Sequence, residues 1–231
     1  MIQIQNLKKT YGKNTVLHIE DLQISKADVI GLIGNNGAGK TTLFSLILDL
    51  IEPSQGTVVN NGFIVSQSEL WKKHTAAFID ESFLIGYLTP EEYFYFIGTL
   101  RNMSKADVDN FLKNYLDFFN GEILSGKKYI RDLSKGNQKK VGIIAAFMGN
   151  PELVILDEPF ANLDPTTQIR LKRVITDYSL NTNATILISS HDLSLTVEVV
   201  SRIVILEKGK LIKDTLKTEN TLQELESFFA V

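Results

Sequence analysis

The octapeptide Gly34-Asn35-Asn36-Gly37-Ala38-Gly39-Lys40-Thr41 constrains this chain more than any other feature. It meets the pattern G-x-x-x-x-G-K-[ST] at every fixed position. The apolar run Val29–Ile33 before it reads as a buried strand. A helical run from Thr41 to Ile51 follows, ended by Glu52-Pro53-Ser54-Gln55-Gly56. Strand, glycine-rich loop and helix in that order make a cradle for phosphate. The glycines let backbone N–H groups approach phosphate oxygens closely, and the helix N-terminus adds partial positive charge. In such a loop Lys40 reaches the β- and γ-phosphates as a point charge, and the Thr41 hydroxyl ligates Mg²⁺. The candidate nucleotide-binding residues are therefore Gly34, Asn35, Asn36, Gly37, Ala38, Gly39, Lys40, Thr41 and Thr42. The motif implies a nucleoside triphosphate; it does not say which one, or what the energy drives.

A second cluster supplies the acids that such a site needs. Leu153-Val154-Ile155-Leu156-Asp157-Glu158-Pro159 is an apolar strand ending in two carboxylates. Asp157 at the strand end can hold Mg²⁺, directly or through water. Glu158 points another way by alternation and can orient or deprotonate the attacking water, a role typically worth about 10²–10⁴-fold.

The rest of the pattern builds a scaffold around these pieces. The first thirty residues read as strands with turns at Tyr11-Gly12-Lys13-Asn14 and Ser25-Lys26-Ala27-Asp28. Short strands follow around Thr57–Val59 and Ala76–Ile79, and return at Leu153–Leu156, Thr185–Ser189 and Ile203–Leu206. Between Thr89 and Gly149 the pattern is helical. Thr89-Pro90-Glu91-Glu92 is a helix start with Thr as cap, and Ser104 to Asp107 has capping-box spacing. This order predicts an α/β fold with a parallel sheet and a mostly helical subdomain. A length of 231 residues with 44% hydrophobic and 22% charged content suits one large or two small domains and excludes a disordered chain. With no cysteine there is no disulfide, thiolate nucleophile or Cys metal site. The net charge of -3 argues against a dedicated nucleic-acid binder, so no nucleic-acid partner is expected. The N-terminus alternates like a strand rather than forming a signal peptide. No run approaches the ~20 apolar residues of a membrane helix. Any membrane role is expected to come through a partner.

Together these segments resemble the ATP-binding-cassette (ABC) ATPase family, as a single nucleotide-binding subunit of a bacterial ABC transporter. The most discriminating piece is Leu133-Ser134-Lys135-Gly136-Asn137-Gln138, which looks like the family signature. The resemblance implies that Ser134, Gly136 and Gln138 contact the γ-phosphate bound to an opposite subunit. An ordinary Ser N-cap would explain Ser134 alone; its place before the Asp-Glu strand favours the signature. Tyr11 sits where the family has an aromatic that stacks on adenine, though an edge tyrosine of a strand is an equal reading of the residue itself. Ala161-Asn162-Leu163-Asp164 resembles the loop that meets the partner subunit. Ser189-Ser190-His191-Asp192 resembles the switch-histidine segment, which implies that His191 touches γ-phosphate and links it to the water at Glu158. His18 and His74 have no such context.

There are departures from the family pattern. Asp80-Glu81 stands where the family commonly has Gln, and Asp80 is assigned to Mg²⁺ or water. Lys135 and Asn137 replace the more usual signature residues, and Asn162 replaces a usual Gly. Lys135 either adds positive charge near the phosphates or points to solvent.

The resemblance implies a P-loop NTPase (RecA-like) core with an ABC-type antiparallel β region and a helical subdomain. The core spans approximately 1–85 and 151–215, the helical subdomain 86–150 and a C-terminal helix 221–231, all in one ABC ATPase domain over 1–231. It implies ATP and Mg²⁺ as cofactors and hydrolysis with Glu158 and His191 in catalytic roles. It implies a homodimer or a pair with a paralogous ATPase subunit, working through a separate integral-membrane permease on the cytoplasmic face, and export more than import. The rival expectation is a soluble ABC-type ATPase acting on a non-membrane partner such as a cluster-assembly scaffold. The aromatic run Tyr93–Phe96 is expected to be mostly subdomain core, since four consecutive residues point all round a helix.

Overall fold

The computed structural model describes residues 1–124 and 126–229. The last two positions of the predicted C-terminal helix, 230–231, lie outside the described residues. The N-terminal half opens with a hairpin of β1 (Ile2–Tyr11) and β2 (Asn14–Ile24), turned at Gly12-Lys13 within the expected turn Tyr11 to Asn14. β3 (Val29–Ile33) then runs into the phosphate loop and α1 (Lys40–Ile47). β4 (Gln55–Asn60), β5 (Phe63–Ile64) and β6 (Thr75–Phe78) follow. The helical block comprises α2 (Pro90–Leu100), α3 (Lys105–Lys113), α4 (Leu116–Phe119) and α5 (Lys135–Phe147). β7 (Leu153–Leu156), α6 (Pro165–Thr182), β8 (Thr185–Ser190), α7 (Leu193–Val199), β9 (Arg202–Glu207), β10 (Lys210–Leu216) and α8 (Thr221–Phe229) complete the chain.

Among the described residues the strands form one ten-stranded sheet in the order β5-β4-β1-β2-β10-β9-β3-β8-β7-β6. β9, β3, β8, β7 and β6 are mutually parallel. β5, β4, β1 and β2 are antiparallel. β10 joins the halves, antiparallel to β9 and bridged to β2 at Lys210 and His18. This is the expected α/β fold with an antiparallel region.

Both faces of the central parallel strands β3 and β7 are buried, so these read as unbroken apolar runs. In β7, Val154 and Leu156 pack with Phe147, Leu171 and Ile175 on one face. Leu153 and Ile155 pack with Leu43, Phe44 and Ile47 of α1 on the other. Strand alternation thus splits one tetrapeptide between two cores.

The helix starts behave as their residues dictate. Thr89 caps α2 in a full capping box with Glu92, and Ser104 caps α3 with Asp107. In the aromatic run, Tyr93 and Phe94 are buried and Phe96 is exposed. One expectation needs correction. The helix after the phosphate loop ends at Ile47, not Ile51. Asp49 takes a left-handed φ of 54°, the Leu50 N–H bonds to the Ser45 carbonyl and the Asp49 N–H to the Leu46 carbonyl. That is a Schellman stop with aspartate in the place usually held by glycine.

Candidate functional site

The parallel strands deliver the candidate residues to one edge. The phosphate loop leaves the end of β3, Asp157 and Glu158 leave β7, and Ser189 and Ser190 end β8 with His191 just beyond it. These strands are neighbours in the order β3-β8-β7, so their C-terminal ends converge, as in other open α/β sheets that bind ligands there.

Gly39 turns the loop into α1 with a φ of 105°, a conformation that excludes a Cβ at little cost only for glycine. Its carbonyl accepts the first helical bond, from Leu43. Asn35, Asn36 and Gly37 are exposed at the crest, and Thr42 is half-buried behind Thr41. The Lys40 side chain is buried and folds back along the loop, donating to the Gly34 carbonyl at 2.6 Å. A recess of about 690 Å³ opens beside the crest, and Phe228 and Phe229 of α8 line it with Asn35 to Ala38, Glu207 and Lys208.

The acids sit against this loop. The Thr41 hydroxyl donates to Asp157 Oδ2 at 2.6 Å. Burial pushes the Asp157 carboxyl up, opposed by hydrogen bonds from Ser189 and Thr41. Glu158 Oε1 lies 3.2 Å from Lys40 Nζ, and Oε2 lies 2.8 Å from His191 Nδ1. Its backbone is left-handed, with φ 46°. Ser189 fixes both acids at once: its hydroxyl donates to Asp157 Oδ1 and accepts from the Glu158 N–H.

The donor set suits a hard divalent cation. One carboxylate and one hydroxyl leave room for waters and phosphate oxygens, the coordination Mg²⁺ prefers in nucleotide sites. Among the described residues no group of three or more His, Asp or Glu side chains gathers as a metal cage. Asp80, the other acid assigned to Mg²⁺ or water, follows β6 at the start of a short turn. It is exposed and accepts from the Ser82 N–H at 2.6 Å, capping the short turn Glu81–Phe83. That bond holds its carboxyl below the usual range. Its neighbour Glu81 points inward, 3.9 Å from the buried Lys139.

The signature segment lies elsewhere. Ser134 caps α5 by accepting from Asn137, and with Gly136, Asn162 and Arg170 it lines a recess of about 550 Å³ that shares no lining residue with the phosphate-loop recess. Lys135 is exposed. Gln138 differs from its neighbours. It is buried and donates to the Arg131 and Leu133 carbonyls, so its amide braces the start of α5. Tyr11 ends β1 with 55% of its surface exposed, and the Lys9 ammonium lies 4.9 Å from its ring centre.

Two side chains of the site were given no role from the sequence. Ser189 was visible only as the residue two before His191. Lys139 lies on a helix whose next eight residues are all buried, and that setting was its only signal.

The sequence model described as "ABC transporter" matches residues 17–161. The chain is similar to the uncharacterized ABC transporter ATP-binding protein YhaQ of Bacillus subtilis (strain 168), 33% identical over 99% of this chain and 74% of that one. It is also similar to the lantibiotic transport ATP-binding protein SrtF of Streptococcus pyogenes, 31% identical over 99% of this chain and 96% of that one. Among solved structures, an ATP-binding subunit of an ABC transporter superposes with a TM-score of 0.84 at 28% identity, covering 100% of this chain and 93% of the other.

Proposed function

The chain belongs to the ABC transporter family of ATP-hydrolysing subunits, and from that premise we propose that it drives transport by closing as a dimer on two MgATP. The observation that carries this reading is the Glu158 carboxylate, held between Lys40 at 3.2 Å and His191 at 2.8 Å. A carboxylate so placed can take a proton from water attacking a phosphate bound at Lys40. His191 steadies it and contacts the γ-phosphate. Lys40 and the loop from Gly34 to Thr42 bind the phosphates, and the exposed Tyr11 ring stacks on adenine. Thr41 and Asp157 would hold Mg²⁺, which supplies neutralising charge to the phosphate oxygens when bound. Ser134 and Gly136 face a nucleotide held by the second copy or a paralogous subunit. Their separation from the phosphate-loop recess supports this, because one chain alone does not bring the two together.

No helix among the described residues is long and apolar enough to cross a membrane. The proposed membrane partner is an integral permease, with this chain on its cytoplasmic face. Support for a partner surface is the apolar groove of about 630 Å³ between β6 and the helical block, lined by Trp71, Phe83, Leu84, Tyr93 and Leu100. We assign the block over approximately 86–150 to this coupling role and the segments 1–85 and 151–215 to the nucleotide core. Export is the proposed direction, in line with the lantibiotic transport relative.

The test is affinity purification of the tagged protein from mildly solubilised membranes. A polytopic membrane protein recovered in near-equal amount is expected. Recovery of a soluble scaffold, with the protein absent from membranes, would overturn the transporter reading and leave ATP hydrolysis standing.

A further inference from the structure

Lys139 is a lysine in the wrong place for a solvated charge. It sits one turn into α5, and its side chain is only 7% exposed. Its ammonium donates to the Glu158 carbonyl at 2.9 Å and to the Ala161 carbonyl at 3.0 Å. Glu81 Oε1 stands 3.9 Å away. An ammonium has three donors, and this geometry uses two on the loop after β7 and turns the cation toward one carboxylate. Burying it is costly unless those partners are met.

The loop it grips is under backbone tension. Glu158 and Asn162 both hold left-handed conformations, at φ 46° and 62°. For a residue such as glutamate that state is unfavourable and persists only where the surroundings impose it. The Ala161 N–H reaches the Glu158 carbonyl at 3.3 Å, a long bond that cannot impose it alone. Ser189 fixes the Glu158 N–H and Lys139 fixes its carbonyl, so the peptide groups on both sides of its Cα are pinned.

We infer that Lys139 is a positioning residue for ATP hydrolysis: clamped on the Glu158 and Ala161 carbonyls and balanced by Glu81, it holds the Glu158 backbone in the left-handed turn that aims the carboxylate at Lys40. The inference rests on the reading of Glu158 as the base. It also gives the helix that begins at Ser134 a direct mechanical hold on that base, because Lys139 is part of that helix.

The experiment compares Lys139→Met, Lys139→Gln, Lys139→Arg and Glu158→Gln in the intact protein, reading kcat, KM for ATP, ATP binding and thermal midpoint. Displacing a reacting group by about 1 Å can cost on the order of 10²-fold. Lys139→Met is expected to lose about that much kcat while KM and ATP binding stay near wild type, the pattern of an interaction that serves only the transition state. Lys139→Arg, which keeps the charge and the donors, should recover part of the rate. Lys139→Gln should fall between, and it carries the test if the methionine variant does not fold. Wild-type kcat in the Met and Gln variants, or parallel loss of rate, binding and thermal midpoint without recovery by Arg, would overturn the role of Lys139. Unchanged turnover in Glu158→Gln would overturn the underlying reading of Glu158 instead, and the two failures are told apart by that variant alone.

Discussion

Lys40 and Glu158 form an ion pair of 3.2 Å between the phosphate loop and the end of β7, with the lysine side chain 6% and the glutamate side chain 26% exposed. The same ammonium donates to the Gly34 carbonyl. Phosphate oxygens that approach Lys40 therefore meet a carboxylate already engaged with it. In the proposed reading that carboxylate competes for the cation during binding and serves as a base for water during reaction.

Replacing Glu158 by Gln separates the two roles. The uncharged amide no longer repels phosphate, so ATP affinity is expected to be equal to or higher than wild type. Hydrolysis should fall by about 10²–10⁴-fold, the usual worth of a positioned base. Single-turnover hydrolysis and calorimetric ATP titration measure both quantities on one preparation, and size exclusion should reveal an accumulating ATP-bound dimer. A variant that hydrolyses at the wild-type rate would remove Glu158 from the chemistry.

Asp157 makes the opposite kind of prediction, because burial works against its charge. A carboxyl raised above its ordinary range destabilises the folded state once it ionises, and that cost grows as pH rises through the raised value. Asp157→Asn should thus melt at a higher temperature than wild type at pH 7 in magnesium-free buffer, with the two converging at low pH. It should also lose magnesium-dependent hydrolysis. A lower midpoint at pH 7 would mean that the bonds from Thr41 and Ser189 outweigh desolvation.

The phosphate loop and the Asp-Glu strand were legible because each is a contiguous pattern with one structural solution. The parallel strands were legible because each carries a short run of apolar residues, with the polar ones confined to the strand ends. β10 was not, since Lys210–Leu216 is almost wholly exposed and reads as surface. The early stop of α1 was hidden because Asp49 takes the conformation that glycine normally announces. The opposite settings of Asp80 and Glu81 were not legible, because a short turn begins between them, with Asp80 as its exposed cap and Glu81 facing Lys139. Lys139 escaped notice because a lysine in sequence reads as solvated, and only tertiary packing reveals that its partners are backbone carbonyls.

Close approach of α5 to the sheet yields a stability prediction. A Cβ on Gly142 would lie 2.2 Å from the Phe78 ring of β6 and 3.2 Å from Leu84. Phe78 is buried and cannot swing away. Gly142→Ala normally favours a helix by about 1 kcal/mol, but forcing an atom into a packed core costs about 1–3 kcal/mol. The overpacking should win, so urea denaturation is expected to show a net loss of stability. A stabilised variant would show that α5 can shift off β6 freely.

Asp164 carries the pH dependence of the loop that leads into α6. Its carboxylate caps the helix by accepting from the Thr167 N–H at 3.0 Å and the Thr167 hydroxyl at 2.6 Å, and those bonds hold its pKa below the ordinary value. A depressed folded-state pKa means that the charge stabilises the fold fully above the ordinary carboxylate range and stops doing so as pH falls through the folded value. The group is exposed, so salt screens the electrostatic part. Removing the cap with Asp164→Ala should cost about 1 kcal/mol, or about 2–4 °C of melting temperature for a chain of this size. Asp164→Asn keeps a capping oxygen but cannot titrate. Its deficit against wild type at neutral pH should therefore shrink on acidification through the carboxylate range, while the alanine deficit persists in the part due to the neutral hydrogen bonds. A deficit of Asp164→Asn against wild type that stays constant from pH 7 to strongly acidic buffer would show that the cap's charge contributes nothing.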